Sequence, residues 1–288
     1  MNKPILNSIL VSLLLVNIVT TKGQPLAKEL NIRQIEKSMV NIIENIYAGK
    51  YEVTNSLYRS FEQDLKSTNQ TELLKIAMAD SNVWRSKLDY NEPLVRYYHN
   101  HPFYENFPVV GVSYEGANLF CTWLTDKYNS NPKRKYKKVL FRLPTEREWV
   151  NAATGGESYV IYPWGNALKS KKYYMCNYRK VGDECIFYDT TNKKFDVDIR
   201  YHFGTFLNEK DQLNDMSAIT EDVRSYFPNK IGLYNVCGNV AEMVQEKGIA
   251  CGGSWKSPGC DVRIKSRSFY SKPGIDLGFR FFMEVIEK

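Results

Sequence analysis

Pro144-Thr145-Glu146-Arg147-Glu148-Trp149 carries a reciprocal helix-start signal, in which Thr145 caps the Glu148 amide and the Glu148 side chain returns to Thr145. A helix beginning here buries Trp149, Ala152 and Ala153. The same instruction recurs twice. Thr54 precedes an amphipathic run with Leu57, Phe61 and Leu65 on one face, and Ser113 precedes the stripe Ala117, Phe120, Cys121 and Leu124. Strand-like pieces run from Pro108 to Val112 and from Val139 to Leu143. Beyond about Gly155, glycine-punctuated loops dominate, and Ile186 to Leu213 reads as a polar insertion within the domain. No internal repeat is evident. The pattern predicts one α+β domain with little regular secondary structure.

The N-terminus reads as an address. Lys3 is followed by an apolar stretch from Ile5 to Val19, and Thr21 and Gly23 suit a signal-peptidase site, so residues 1–23 are expected to be removed and 24–288 to form the mature chain. The stretch is too short and interrupted for a membrane span, and no transmembrane segment is expected in the mature chain. No cysteine near the cleavage point offers a lipid anchor. Removal takes Lys3 and Lys22 but no acid, so the formal charge falls from +7 to +5. That surplus is too small to imply nucleic acid, and the run Lys133 to Lys138 reads as a solvated loop entering a strand. In an exported chain, Cys176 with Cys185 and Cys251 with Cys260 are expected local staples. His99 and His101 share one side of an extended segment but have no third ligand nearby, which favours a surface turn over a metal site.

Taken in order, seven motifs resemble those of the formylglycine-generating-enzyme (sulfatase-modifying-factor) family. They are Glu52-Val53-Thr54-Asn55 with Tyr58; Pro108 to Ser113 with Ala117, Cys121 and Trp123; Arg142-Leu143-Pro144-Thr145-Glu146 with Glu148-Trp149; Tyr162-Pro163-Trp164-Gly165-Asn166; Gly232-Leu233-Tyr234-Asn235 with Gly238-Asn239-Val240; Gly252-Gly253-Ser254-Trp255; and Leu277-Gly278-Phe279-Arg280. The resemblance spans about residues 45–282 and implies a single α+β domain, related to C-type lectin folds.

It also implies a chemical test. Active members place two cysteines after the Gly-Gly-Ser-aromatic turn, and two soft thiolates hold Cu(I). Ser254 matches the family serine, but the cysteine positions hold Ser257 and Val262, and the nearby thiol, Cys260, falls between them. No catalytic residue is therefore assigned, and copper is not expected, unless the loop brings Cys260 to Cys251 or Cys237. Two more departures agree: Ala241 stands where the family has an aromatic, and Phe281 stands where a cysteine often pairs with the residue matching Cys121. Calcium is the implied cofactor. One ligand set transfers to Asn235, Gly238, Val240 and Glu242, and a second to Asn177, Tyr178, Asp215 and Ser217, each with a single carboxylate.

The expectation is a secreted, periplasmic or cell-envelope protein acting as a non-catalytic binding or scaffold module. The resemblance extends to cysteine-lacking members among gliding-motility and secretion lipoproteins. Its partner would be a protein, a peptide or a glycan. The alternative is a copper-dependent oxidase converting a sulfatase cysteine to formylglycine. A non-heme-iron oxygenase, a third branch, needs a histidine cluster that His99, His101 and His202 do not provide.

Overall fold

The capped starts behave as the sequence requires. Thr54 Oγ1 accepts from the Leu57 amide at 3.2 Å, Ser113 Oγ from that of Gly116 at 2.9 Å, and Thr145 and Glu148 close the full capping box. The computed structural model describes residues 30–87, 90–170, 173–179, 186–197 and 219–288. The expected signal peptide, Cys185, His202, Asp215 and Ser217 lie outside them.

The helices are α1 (Ile32–Lys37), α2 (Asn55–Ser67), α3 (Thr71–Ala77), α4 (Glu92–Tyr97), α5 (Tyr114–Ser130) and α6 (Glu146–Thr154). The strands are β1 (Met39–Ile43), β2 (Ile46–Gly49), β3 (Lys138–Arg142), β4 (Lys169–Ser170), β5 (Tyr173–Tyr174), β6 (Ile186–Asp189), β7 (Lys194–Val197), β8 (Ala241–Met243), β9 (Ile249–Cys251), β10 (Arg267–Phe269), β11 (Leu277–Gly278) and β12 (Phe282–Glu287). One antiparallel sheet runs β1-β2-β12-β3, with Phe282 facing Ala48 on one side and Arg142 on the other. The second runs β10-β9-β8-β11, and β11 lies parallel to β8. The last strand thus sits between elements from the first third and the middle of the chain. Within the polar insertion, Ile186 to Val197 forms the hairpin β6-β7.

The main core lies between α2, α5 and the first sheet. Tyr58 stacks on Phe120 at 5.6 Å, and Phe279 meets Phe120 edge-on at 5.5 Å. Each such ring contributes about 1.5–3 kcal/mol by leaving water. Phe281 joins this cluster, 5.5 Å from Phe141, so a packed ring stands where the family resemblance puts a disulfide partner for Cys121. Cys121 is buried and unbridged. A second cluster packs α6 through Trp149, Ala152 and Ala153 against Cys237, Cys251 and Phe282.

The expected strand from Pro108 to Val112 does not form. Gly111 has φ +74°, and a Cβ there would lie 2.5 Å from the Asp80 carbonyl oxygen. The backbone turns away instead, sending the Val109 amide to Val53 and the Gly111 amide to Gly274.

Candidate functional site

The Gly252-Gly253-Ser254-Trp255 turn follows β9 and is fixed by sterics. A Cβ on Gly252 would meet the Val236 carbonyl oxygen at 2.5 Å, and one on Gly253 that of Asp261 at 2.4 Å. With φ of +84° and +65°, both positions demand glycine. The close approach ties the turn to the loop carrying Ser257, Cys260 and Val262. Trp255 Nε1 donates to the Ile275 carbonyl at 3.1 Å and its ring stacks on Trp84, while its amide donates to Asn239.

Ser254 is 2% exposed. Its amide donates to Ser257 Oγ at 3.0 Å, and the two hydroxyls lie 3.3 Å apart. Val262 has no exposure and packs with Tyr162, Tyr174, Cys176 and Tyr178. The two family cysteine positions therefore hold a hydrogen-bonded alcohol and a hydrocarbon sealed among aromatics. Neither ligates Cu(I), so the donor set does not fit copper.

The remaining sulfurs do not repair this. Cys251 is fully buried, facing the α6 cluster, and unbridged, so the staple expected with Cys260 is not formed. Cys260 lies exposed on the turn Gly259–Asp261. Cys176 is likewise unbridged, packed against the tyrosines around Val262. Burial pushes the Cys251 thiol up to about 12 and raises those of Cys176 and Cys237 as well. Such thiols stay protonated and inert at neutral pH. Among the described residues, no group of three His, Cys, Asp or Glu is arranged to hold a metal. His99 Nε2 lies 2.9 Å from the Val110 carbonyl, and burial lowers its pKa. His101 caps the short turn Pro102–Tyr104.

The calcium set implied by the resemblance gathers around a buried ionic centre. Glu242, in β8, has no exposure, and Arg280 has 1%. Arg280 Nη2 donates to Glu242 Oε1 at 2.7 Å, its Nε to both carboxylate oxygens, and Trp149 Nε1 to Oε2 at 2.8 Å. Arg280 also donates to the Gly49 and Tyr234 carbonyls. Four donor contacts occupy the lone-pair directions of the carboxylate. Glu242 thus serves Arg280 and Trp149, and a cation would have to displace one of them.

The Asn235 end is different. Asn235 and Asn239 sit at φ +47° and +61°, and Gly238 lies between them because a Cβ there would be 2.4 Å from the Asn177 carbonyl oxygen. This turn brings Asn177 beside Gly238 and so joins the two ligand sets implied by the resemblance. The side-chain oxygens of Asn235 and Asn177 are buried and, among the described residues, accept no hydrogen bond. Unsatisfied acceptors of this kind are what a cation or ordered water would take up.

Sequence reasoning missed Glu52 and the role of Arg280. Glu52 is 2% exposed and accepts from Asn239 Nδ2 at 2.8 Å and Asn235 Nδ2 at 3.3 Å. Burial, reinforced by Glu242 and opposed by Arg280, lifts its pKa to about 8. Both residues stand in the quoted motifs. The available signal was an acid or a guanidinium bordering an apolar strand. Ala241, 5% exposed, packs into the main core.

Residues 17–285 match the sulfatase-modifying factor enzyme 1-like domain family. The chain is 34% identical over 137 residues to a formylglycine-generating enzyme of Thermomonospora curvata, covering 48% of this chain and 32% of that enzyme. It is 29% identical over 145 residues to the serine/threonine-protein kinase pkn1 of Chlamydia pneumoniae, covering 50% of this chain and 14% of the kinase. In both cases the match spans well under two thirds of the relative's own length. The fold is similar to that of Treponema denticola variable protein 1, with a TM-score of 0.51 at 19% identity, covering 86% of this chain and 91% of that one. By the extent of the family match, the chain belongs to the sulfatase-modifying factor enzyme 1-like domain family.

Proposed function

We propose that this protein is a non-catalytic member of its family, working as a binding or scaffold module of an exported or cell-envelope assembly. The observation that carries this reading is Val262, a buried hydrocarbon where Cu(I) chemistry needs a thiolate, with the Ser257 hydroxyl at the other ligand position. What remains of the site is a well-packed turn whose exposed residues are Lys256 and Cys260. Export is inferred from the N-terminal address in the sequence. The test incubates the protein with Cu(I), oxygen and a peptide carrying a sulfatase-type cysteine motif, and reads the peptide mass. Unchanged cysteine supports the reading, and conversion to formylglycine favours the oxidase instead.

The same reading includes a calcium ion bound by the Asn235 side-chain oxygen with the carbonyls of Gly238 and Val240, adjoining Asn177 and Tyr178. The orphaned amide oxygens of Asn235 and Asn177 support it. Because Glu242 is held by Arg280, the ligands are largely neutral, and affinity is expected in the range of about 0.1–1 mM typical of weak extracellular modules. The ion would stiffen the turn between β8 and the Asn177 segment and takes part in no reaction step.

A further inference from the structure

The segment following Val262, together with α6 and residues 158–161, lines a cavity of about 800 Å³. Its apolar wall includes Ile161, 43% exposed, and the half-buried Val150, above a floor closed by Ile264 at 1%. Tyr159 also lines it, 98% exposed and with φ +63°. A bulky residue in the left-handed region costs on the order of 1 kcal/mol or more, and here the ring gains no burial in exchange. An aromatic held out in this way beside an apolar hollow has the character of an interface anchor awaiting its counterpart.

Charge narrows the counterpart. Arg263, Lys265 and Arg267 line the cavity against a single acid, Asp261. Glu146 already neutralises Arg267. Arg147, exposed, lies three residues before Val150 and so on the same face of α6. Among the described residues, no carboxylate forms an ion pair with Arg147, Arg263 or Lys265. The hollow therefore offers an apolar seat bordered by unneutralised cations. A nucleic acid or a sulfated glycan would satisfy the cations and could stack on Tyr159, but neither carries an aliphatic side chain to fill the hollow beside Val150 and Ile161.

We propose that this cavity docks an acidic peptide segment of a protein partner, seating one apolar side chain against Val150, Ile161 and Ile264 while its carboxylates meet Arg147, Arg263 and Lys265. Guanidinium–carboxylate pairs supply orientation as well as attraction. The proposal extends the binding-module reading and rests on it, since it names that module's class of partner.

The experiment is fluorescence anisotropy with a short labelled peptide bearing glutamates on both sides of a Leu-Phe pair, and a control with glutamine in their place. The glutamate peptide is expected to bind saturably, about tenfold more tightly than the control, and to weaken as salt rises. Arg147→Glu with Lys265→Glu should reduce its affinity by about tenfold or more, and Ile161→Asp should do so independently. These are exposed positions, so unchanged melting temperatures will confirm folding. Equal binding of both peptides, indifference to the substitutions, or binding of a heparin fragment in place of the glutamate peptide would overturn the assignment. Those results leave the copper test untouched, whereas formylglycine formation would remove the binding-module reading without altering the peptide affinity.

Discussion

Glu242 and Arg280 form a fully desolvated pair whose donors and acceptors are matched, with Trp149 and two backbone carbonyls completing it. Such a pair adds modest net stability when intact but is costly to halve. Arg280→Met should therefore destabilise the protein by about 3–5 kcal/mol, and Glu242→Gln with Arg280→Met together by less than the sum of the single changes, as urea unfolding would show. Glu52 makes a second prediction. An ordinary glutamate titrates near 4.5, and burial carries this one to about 8. Between those values the native state holds a proton that the unfolded chain has released, so raising the pH favours unfolding across that window. Stability should fall from about pH 5 to pH 8 by a few kcal/mol, and Glu52→Gln, measured in EDTA, should flatten the slope. Parallel pH profiles for both proteins would show that Glu52 does not titrate as described.

Among the elements, α6 has the most complete start signal, and the Gly252-Gly253 turn carries one of the most severe steric demands. Thr145→Ala removes one half of the capping box and should cost about 1 kcal/mol. Gly253→Ala should be far worse, on the order of several kcal/mol or loss of soluble protein, because its Cβ would enter the Asp261 carbonyl at a left-handed φ. Comparing the two melting temperatures checks the order. This difference also marks what the sequence made legible. Capping and apolar periodicity are local, so α2, α5 and α6 could be read from Thr54, Ser113 and Thr145. At Pro108 to Val112 the backbone groups are taken instead by Val53, Asp80 and Gly274, tertiary neighbours that no local pattern reveals. Likewise, β12 lying between β2 and β3 is a pairing across nearly the whole chain, and alternation alone does not choose partners. At the site, the missing cysteines were visible as letters. That Val262 is sealed by Tyr162, Tyr174 and Tyr178, and that Glu242 is already engaged, required the fold.

At the scale of the molecule, the family domain is kept, with an alcohol and a hydrocarbon at the two positions where the resemblance puts thiolates. The scaffold is closed by its last strand and centred on a buried ion pair, with orphaned amide oxygens beside it. If the turn at Asn235 takes calcium, millimolar Ca²⁺ should raise the melting temperature by about 2 °C, and Asn235→Gly, which keeps the left-handed backbone, should abolish the shift. An unchanged melting temperature and no calcium by elemental analysis would remove the ion from the account. Sulfur at positions 257 and 262 is what separates a binding module from an oxidase here. Mass spectrometry of a cysteine-bearing sulfatase peptide, after incubation with copper-loaded protein and beside an active family enzyme as control, tests that separation most directly. The control is expected to convert the cysteine to formylglycine and this protein to return it unaltered; aldehyde product from this protein would contradict the non-catalytic reading.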